Sequence, residues 1–165
     1  MPSAAPESST DIHLLTVQSP VGTLILSAQN GALTGLSWAT GLYTHHETTS
    51  ELLTEAESQL AAYFDSRLKD FNLPLAVSGT KFQSRVWRAI DAIPFGATLT
   101  YGGLAKKLRT GPRAVAGACG ANPIPIIVPC HRVLSTTGNL CGYSGHGGIL
   151  TKATLLNLEG IRANV

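Results

Sequence analysis

Cysteine is absent from the first 118 residues of this 165-residue chain, and only Cys119, Cys130 and Cys141 follow. An odd count without paired spacing argues against a disulfide framework and against a cysteine-based metal site. It fits a reducing intracellular setting, expected to be cytoplasmic, or nuclear in a eukaryotic source. Long apolar runs are also missing: none nears the roughly 18–20 residues of a membrane span. The first fifteen residues lack the basic-then-apolar layout of a secretory signal, so no membrane association is expected. Charged residues make up only 13% against 44% hydrophobic, which describes a globular chain rather than a disordered one.

Scarcity of one charge sign is the next signal. Met1–Thr80 has two basic residues, Arg67 and Lys69, against eight acidic ones, a balance of −6. Lys81–Val165 reverses this, with ten basic residues against only Asp91 and Glu159, a balance of +8. A half this basic fits a polyanionic partner, nucleic acid foremost. The plainer alternative is that the asymmetry serves solubility or holds the two halves together.

Local patterns divide the chain at the same place. Met1–Thr10 is small, polar and proline-containing, the composition of a disordered tail. Ile12–Gln18, Gly22–Ala28 and Ala32–Trp38 are β-rich and separated by Ser19-Pro20 and Asn30-Gly31, predicting an antiparallel meander. Leu53, Ala56, Leu60, Tyr63 and Phe64 recur at helical spacing behind a Thr49 or Ser50 cap. Phe71–Val77 is predicted to return as a further strand. Residues 11–78 thus form a small α/β domain without visible chemistry. In residues 79–165, Thr80–Gln83 fits a capping box and Phe82, Val86, Ile90 and Ile93 mark one helix face. Pro94-Phe95-Gly96 breaks that helix. Short helices at Tyr101–Leu108 and Pro112–Ala121, around Arg109-Thr110-Gly111, suggest a helix-turn-helix, a signal many helical hairpins share.

The chemistry concentrates in the second part. Pro129-Cys130-His131-Arg132-Val133 ends a stiff run from Asn122, and flanking cations would favour an ionised, nucleophilic sulfur. Taken alone, a buried structural cysteine is the simpler reading. The Pro112–Ala121 helix offers only Ala114, Ala116, Gly117, Ala118, Gly120 and Ala121 around one charge, Arg113. Such small residues permit close approach, either to another part of the protein or to a nucleic-acid groove.

Together with these segments, an ordered set of motifs resembles the O6-alkylguanine-DNA alkyltransferase family, also called methylated-DNA–protein-cysteine methyltransferases. They are Ser19-Pro20-Val21-Gly22, Gln59–Phe64, Gly79–Trp87, Ile93-Pro94, Thr100-Tyr101-Gly102, Arg113-Ala114-Val115, Asn122-Pro123, Pro129–Val133, Gly142-Tyr143-Ser144-Gly145 and Leu155–Gly160. The resemblance implies an α/β, two-part architecture: an antiparallel sheet with a helix, then a mostly helical domain with a winged-helix-like helix-turn-helix. It implies DNA repair by irreversible, single-turnover alkyl transfer from O6-alkylguanine to Cys130, without cofactor or metal. The implied partner is double-stranded DNA holding that lesion, met by a monomer, with clustering on DNA left open.

Roles follow from the resemblance residue by residue. His131 would take the thiol proton through a water and Glu159 would orient that histidine. Asn122 would bond the backbone around the cysteine. Arg113 would fill the stack vacated by a flipped nucleotide, and Ala114 and Gly117 would lie in the minor groove. Tyr101 would help turn the phosphate and bond the flipped base. The carbonyls of Cys130 and Val133 would accept the guanine amino group, Tyr143 would stack, and the Ser144 amide would sit near O6. For Tyr101, Tyr143 and Glu159, ordinary structural roles are the alternatives.

Two departures stand out. The turn before Arg113 is about two residues shorter than the family pattern, and the loop at Gly145-His146-Gly147-Gly148 about two longer. They bear on the pocket wall and the angle to DNA. Cys119 is expected to fill core space and Cys141, in the pocket loop, to be open to oxidation. Two further functional classes remain open: a non-catalytic alkyltransferase-like binder, against which Cys130 itself argues, and a Cys-His hydrolase, which would leave the basic helix-turn-helix unexplained.

Overall fold

The computed structural model describes residues 11–163, so the tail expected at Met1–Thr10 lies outside the described residues. Two compact units meet in sequence between Val77 and Ser78. No helix among the described residues is long and apolar enough to cross a membrane.

The first unit is a three-stranded antiparallel sheet, β1 (His13–Val17), β2 (Leu24–Gln29) and β3 (Ala32–Trp38), in sequential order. Asn30 and Gly31 both take positive φ, 55° and 74°, the conformation that joins β2 to β3 with the natural strand twist. Strand β2 alternates buried and half-buried residues along its length, as a sheet covered on one face requires. Helix α1 (Glu51–Phe64) provides the cover. Ser50 caps it by accepting from the Leu53 amide at 3.4 Å, and Leu53, Ala56, Leu60 and Tyr63 are buried together with Leu15, Leu24, Leu26, Leu33 and Leu36 of the strands.

One expectation fails here. Phe71–Val77 forms no strand; it touches β3 through a single parallel bridge, Leu33 to Leu75. The Leu33 amide donates to the Pro74 carbonyl at 2.8 Å and the Ala76 amide to the Leu33 carbonyl at 2.9 Å. Pro74 has no N–H with which to continue the ladder, and the alternation of apolar residues alone does not replace it.

The second unit is mostly helical. Helix α2 (Lys81–Asp91) begins with a complete capping box: the Gln83 amide donates to Thr80 Oγ1 and the Thr80 amide to Gln83 Oε1, each at 3.0 Å. Val86, Trp87 and Ile90 form its buried face, and Trp87 Nε1 donates to the Ala118 carbonyl at 2.8 Å. Strand β4 (Leu99–Thr100) runs directly into α3 (Tyr101–Leu108), whose cap is Thr100. Arg109 turns the chain at φ 55°, and α4 (Pro112–Gly120) starts with proline at its first position. After one turn of 3₁₀ helix at Cys130–Arg132, β5 (Val133–Leu134) pairs in parallel with β4. Helix α5 (Ile149–Leu158) closes the unit.

The capping box sets a measurable contribution. Thr80→Ala is expected to lower stability by about 1 kcal/mol, while Thr80→Ser stays within a few tenths. Urea unfolding midpoints of the three proteins check this.

Candidate active site

The site is built from α4, the 3₁₀ turn, the 139–148 segment and α5, all in the second unit. Asn122 makes the link from helix to nucleophile. Its Nδ2 donates to the Val128 carbonyl at 2.9 Å and its Oδ1 accepts from the Ile124 amide at 3.0 Å, so the Pro123–Val128 run is clasped from inside. Ile126 in that run is buried at φ 75°, a conformation that costs a β-branched residue on the order of 1–3 kcal/mol. The run therefore delivers Cys130 in a fixed place, 4% exposed.

Behind the thiol lies a buried ionic cluster. His131 Nε2 is 2.9 Å from Glu159 Oε2. Arg132 Nε donates to Glu159 Oε1 and Oε2 at 2.8 and 3.2 Å, Arg132 Nη2 donates to Oε1 as well, and Nη1 donates to the Ile93 carbonyl at 2.6 Å. Burial alone would raise the Glu159 pKa, but the hydrogen bonds from His131 and Arg132 hold it below the usual carboxylate value. For His131 burial wins: its pKa is lowered despite the carboxylate, so the imidazole is neutral. A neutral imidazole next to a carboxylate carries its proton on Nε2, and Nδ1 is then a lone pair. Nδ1 is buried and has no protein partner among the described residues.

The thiol differs from the sequence expectation. Burial pushes the Cys130 pKa up, and the Asn122 hydrogen bond and Lys152 charge only partly offset it. The cations adjacent in sequence do not supply a standing thiolate, because His131 is neutral and Arg132 is committed to Glu159. The cation that favours ionisation is Lys152, which lies outside every motif quoted above. It is fully buried on α5 and donates to the carbonyls of Val133, Cys141 and Gly142 at 2.6, 3.2 and 3.4 Å. Glu159, the C-cap of α5, follows Lys152 by seven positions, about two helical turns, so one side of the helix carries both charges. The motif order marks Glu159 as the partner of His131, but no sequence signal marks Lys152: α5 buries residues on several sides and its apolar periodicity is faint.

A cavity of about 440 Å³ opens at Cys130. Tyr101, Pro112, Arg113, Ala116, Cys119 and Gly120 form part of its wall, and Cys141, Gly142, Tyr143 and Ser144 another part. Val133 does not line it; its carbonyl accepts from Lys152 and its backbone pairs with β4. Burial raises the Tyr101 pKa, so its hydroxyl remains a donor across the physiological range. Cys119 is buried as core filling would have it, yet it also faces the cavity. On α4, Val115, Ala118 and Cys119 point inward, whereas Arg113, Ala114, Ala116, Gly117, Gly120 and Ala121 are exposed. Internal close packing thus explains Ala118 alone among the small residues. The longer loop turns tightly: the Gly148 amide donates to the Gly145 carbonyl at 3.1 Å, and Gly147 has φ 86° with Thr151 where a side chain would be. Among the described residues no group of three or more His, Cys, Asp or Glu could hold a metal ion.

A buried thiol with a carboxylate-held histidine, reached through a cavity walled by a helix-turn-helix, defines a cysteine group-acceptor joined to a DNA-binding fold. Residues 12–77 match the family described as 6-O-methylguanine DNA methyltransferase, ribonuclease-like domain, and residues 81–161 the DNA binding domain of the same name. A methylated-DNA–protein-cysteine methyltransferase of Mycobacterium tuberculosis is 43% identical over 158 residues, covering 92% of this chain and 94% of the relative. The crystal structure of the Mycobacterium tuberculosis O6-methylguanine methyltransferase superposes with a TM-score of 0.82 at 40% identity, covering 94% and 96% of the two chains. A second structure, the same organism's OGT in complex with DNA, gives 0.80 at 42% identity over 93% and 96%. The chain belongs to the 6-O-methylguanine DNA methyltransferase family. Its reaction is the transfer of an alkyl group from DNA to a protein cysteine, and its role is DNA repair.

Acid should undo the cluster in two stages. His131 is neutral in the fold and protonates in the unfolded chain, so stability is full above about pH 6.5 and falls as pH drops below it. Glu159 stays ionised in the fold while the unfolded chain takes up a proton, adding a second loss below about pH 4.5. Unfolding free energies measured across this range should show both declines. Glu159→Ala, which strands Arg132 in the interior, is expected to cost about 3–5 kcal/mol at neutral pH.

Proposed function

We propose that Cys130 Sγ is the acceptor and that O6-alkylguanine in double-stranded DNA is the donor. The observation that carries this is the shared cavity: the thiol and Arg113, at the start of the exposed small-residue face of α4, line the same space. The alkyl carbon lies inside a duplex, so the nucleotide must leave the stack to meet a thiol at the base of a cavity. The α4 face suits entry into a minor groove, which is narrow and admits little beyond backbone and methyl groups. Arg113 then occupies the space left in the stack. Residues 79–165 hold the whole of this machinery, and a single monomer acts on one lesion.

Inside the cavity, Sγ attacks the alkyl carbon, a C–S bond forms and the C–O6 bond breaks with its electron pair going to guanine. His131 Nδ1 takes the thiol proton through an intervening water, and Glu159 stabilises the imidazolium that results. The Tyr101 hydroxyl serves as donor to the base as charge develops there. Tyr143 stacks on the base and the Ser144 amide lies near O6. The thioether has no chemical route back, so each molecule acts once. A reducing cytoplasmic setting fits this use, since all three cysteines are free.

Incubation with duplex DNA carrying O6-methylguanine should add about 14 Da to the peptide holding Cys130, in a stoichiometry that stops at one. Repeated turnover, or an adduct on another residue, would contradict the assignment. Two substitutions separate binding from folding. A side chain at Gly117 meets nothing within 4 Å, so Gly117→Leu is expected to fold normally yet weaken DNA binding about tenfold. Arg113→Ala should slow repair of duplex DNA far more than reaction with the free base; equal slowing of both would remove its role in flipping.

A further inference from the structure

Three thiols share one cavity. Cys119, Cys130 and Cys141 all line it, and none is engaged in a disulfide. They differ in access: Cys119 and Cys130 are 5% and 4% exposed, whereas Cys141 is only half-buried. Cys119 lies within a helix, whereas Cys141 sits in the 135–148 segment, which carries no helix or strand and has positive-φ glycines at 138 and 142. The Lys152 ammonium joins the two relevant stretches of backbone, donating both to the Val133 carbonyl, three residues past Cys130, and to the carbonyl of Cys141 itself. Of the two spare thiols, Cys141 is therefore the one that is reachable from solvent, in a segment without helix or strand that Lys152 ties to the acceptor's side of the cavity.

We propose that Cys141 is a peroxide-reactive guard thiol, which on oxidation forms a reversible disulfide with Cys130 and so closes the site. The proposal rests on the reading of Cys130 as alkyl acceptor for its functional meaning, but not for its chemistry. In the first step the Cys141 thiol is oxidised by hydrogen peroxide to a sulfenic acid, with release of water. In the second, Cys130 Sγ attacks Cys141 Sγ, an S–S bond forms, the S–O bond breaks, and the hydroxyl leaves as a second water with the thiol proton. His131 Nδ1, the buried base next to Cys130, can take that proton in passing. Burial keeps Cys130 protonated and shielded, which makes it a slow direct target for peroxide and leaves entry to Cys141.

The consequence is protective. Direct oxidation of an acceptor thiol to sulfinic or sulfonic acid is irreversible, whereas a disulfide returns to thiols on reduction. A protein that spends one molecule per lesion loses capacity permanently by the first route and temporarily by the second. Tyr143 and Ser144, immediately after Cys141 in the cavity wall, would be drawn along with the loop and close the space that admits the base.

The test uses the full chain without DNA. Brief exposure to hydrogen peroxide, thiol blocking and digestion without reductant should yield a peptide pair joined through Cys130 and Cys141, about 2 Da lighter than the two thiol peptides together. Alkyl uptake from O6-methylguanine DNA, assayed separately, should fall about tenfold and return after dithiothreitol. Cys119→Ser should retain the linked pair. Cys141→Ser should lose it and, at higher peroxide, lose activity in a form that dithiothreitol does not restore. A Cys119–Cys130 link, or sulfinic acid on Cys130 in the parent protein without any link, would overturn the proposal. A Cys130–Cys141 link that left alkyl uptake intact would instead overturn the assignment of Cys130 as acceptor.

Discussion

One buried carboxylate organises the active half of this protein. Glu159 is 4% exposed and ionised, which would be strongly unfavourable without partners. Two side chains supply them, and each partner ties down a different part of the fold. Arg132 spreads its guanidinium between Glu159 and the Ile93 carbonyl, joining the end of α5 to the chain just after α2, and it lies 5.9 Å from the centroid of Phe95. His131 takes the other carboxylate oxygen and is thereby held in one tautomer. The position of His131, the closure of the helical unit and the disposition of the Arg132 guanidinium are thus set by one group. Removing it would leave an unpaired arginine inside and a histidine without a fixed proton, which is why structure and chemistry fail together there.

Lys152 is the counterpart on the same helix. Where Glu159 consumes positive charge behind the thiol, Lys152 places some beside it, and its three carbonyl acceptors hold the Cys141–Gly142 segment against Val133. The ammonium also lies 5.8 Å from the Tyr101 ring centroid. Two charged residues, Lys152 on α5 and Glu159 at its C-cap, thus serve Cys130 differently: the first favours its anion, the second holds the neighbouring His131. Burial still dominates, and the thiol remains above its ordinary pKa. In the proposed transfer, reactivity then depends on His131 taking the proton as the bond forms rather than on a thiolate waiting in advance.

Legibility follows the range of the interactions. The Asn30-Gly31 turn, the Thr80–Gln83 capping box and the Tyr101–Leu108 and Pro112 helices are written in adjacent residues, so a short stretch of sequence is enough to specify each. Phe71–Val77 is different, because whether an apolar segment joins a sheet depends on a ladder that Pro74 interrupts. The motif order points to Cys130, His131 and Glu159, but in the sequence Arg132 reads as a source of positive charge for the sulfur. Its true destination lies 27 residues away in sequence, and no local pattern records such a pairing. Lys152 is hidden for a similar reason: a lysine in a sequence reads as surface, and only three converging carbonyls reveal it as buried.

The small residues of α4 acquire their meaning from what they leave bare. Glycine and alanine on a helix are usually explained by close packing, and Ala118 fits that explanation, with Trp87 bonded to its carbonyl. Ala114, Gly117 and Gly120 do not, since they are exposed and a side chain at either glycine would meet nothing. Glycine in a helix costs roughly 0.5–1 kcal/mol relative to alanine, and this helix bears that cost at two exposed positions where its own fold gains nothing. A surface kept bare at the expense of stability makes physical sense when something must approach the backbone closely. With Arg113 at its start and the thiol cavity along its flank, the bare face of α4 supports the proposed contact with a narrow, negatively charged groove. Stability is given up on that bare face, while at the far end of the unit Glu159 ties the end of α5 to the segment that carries Cys130.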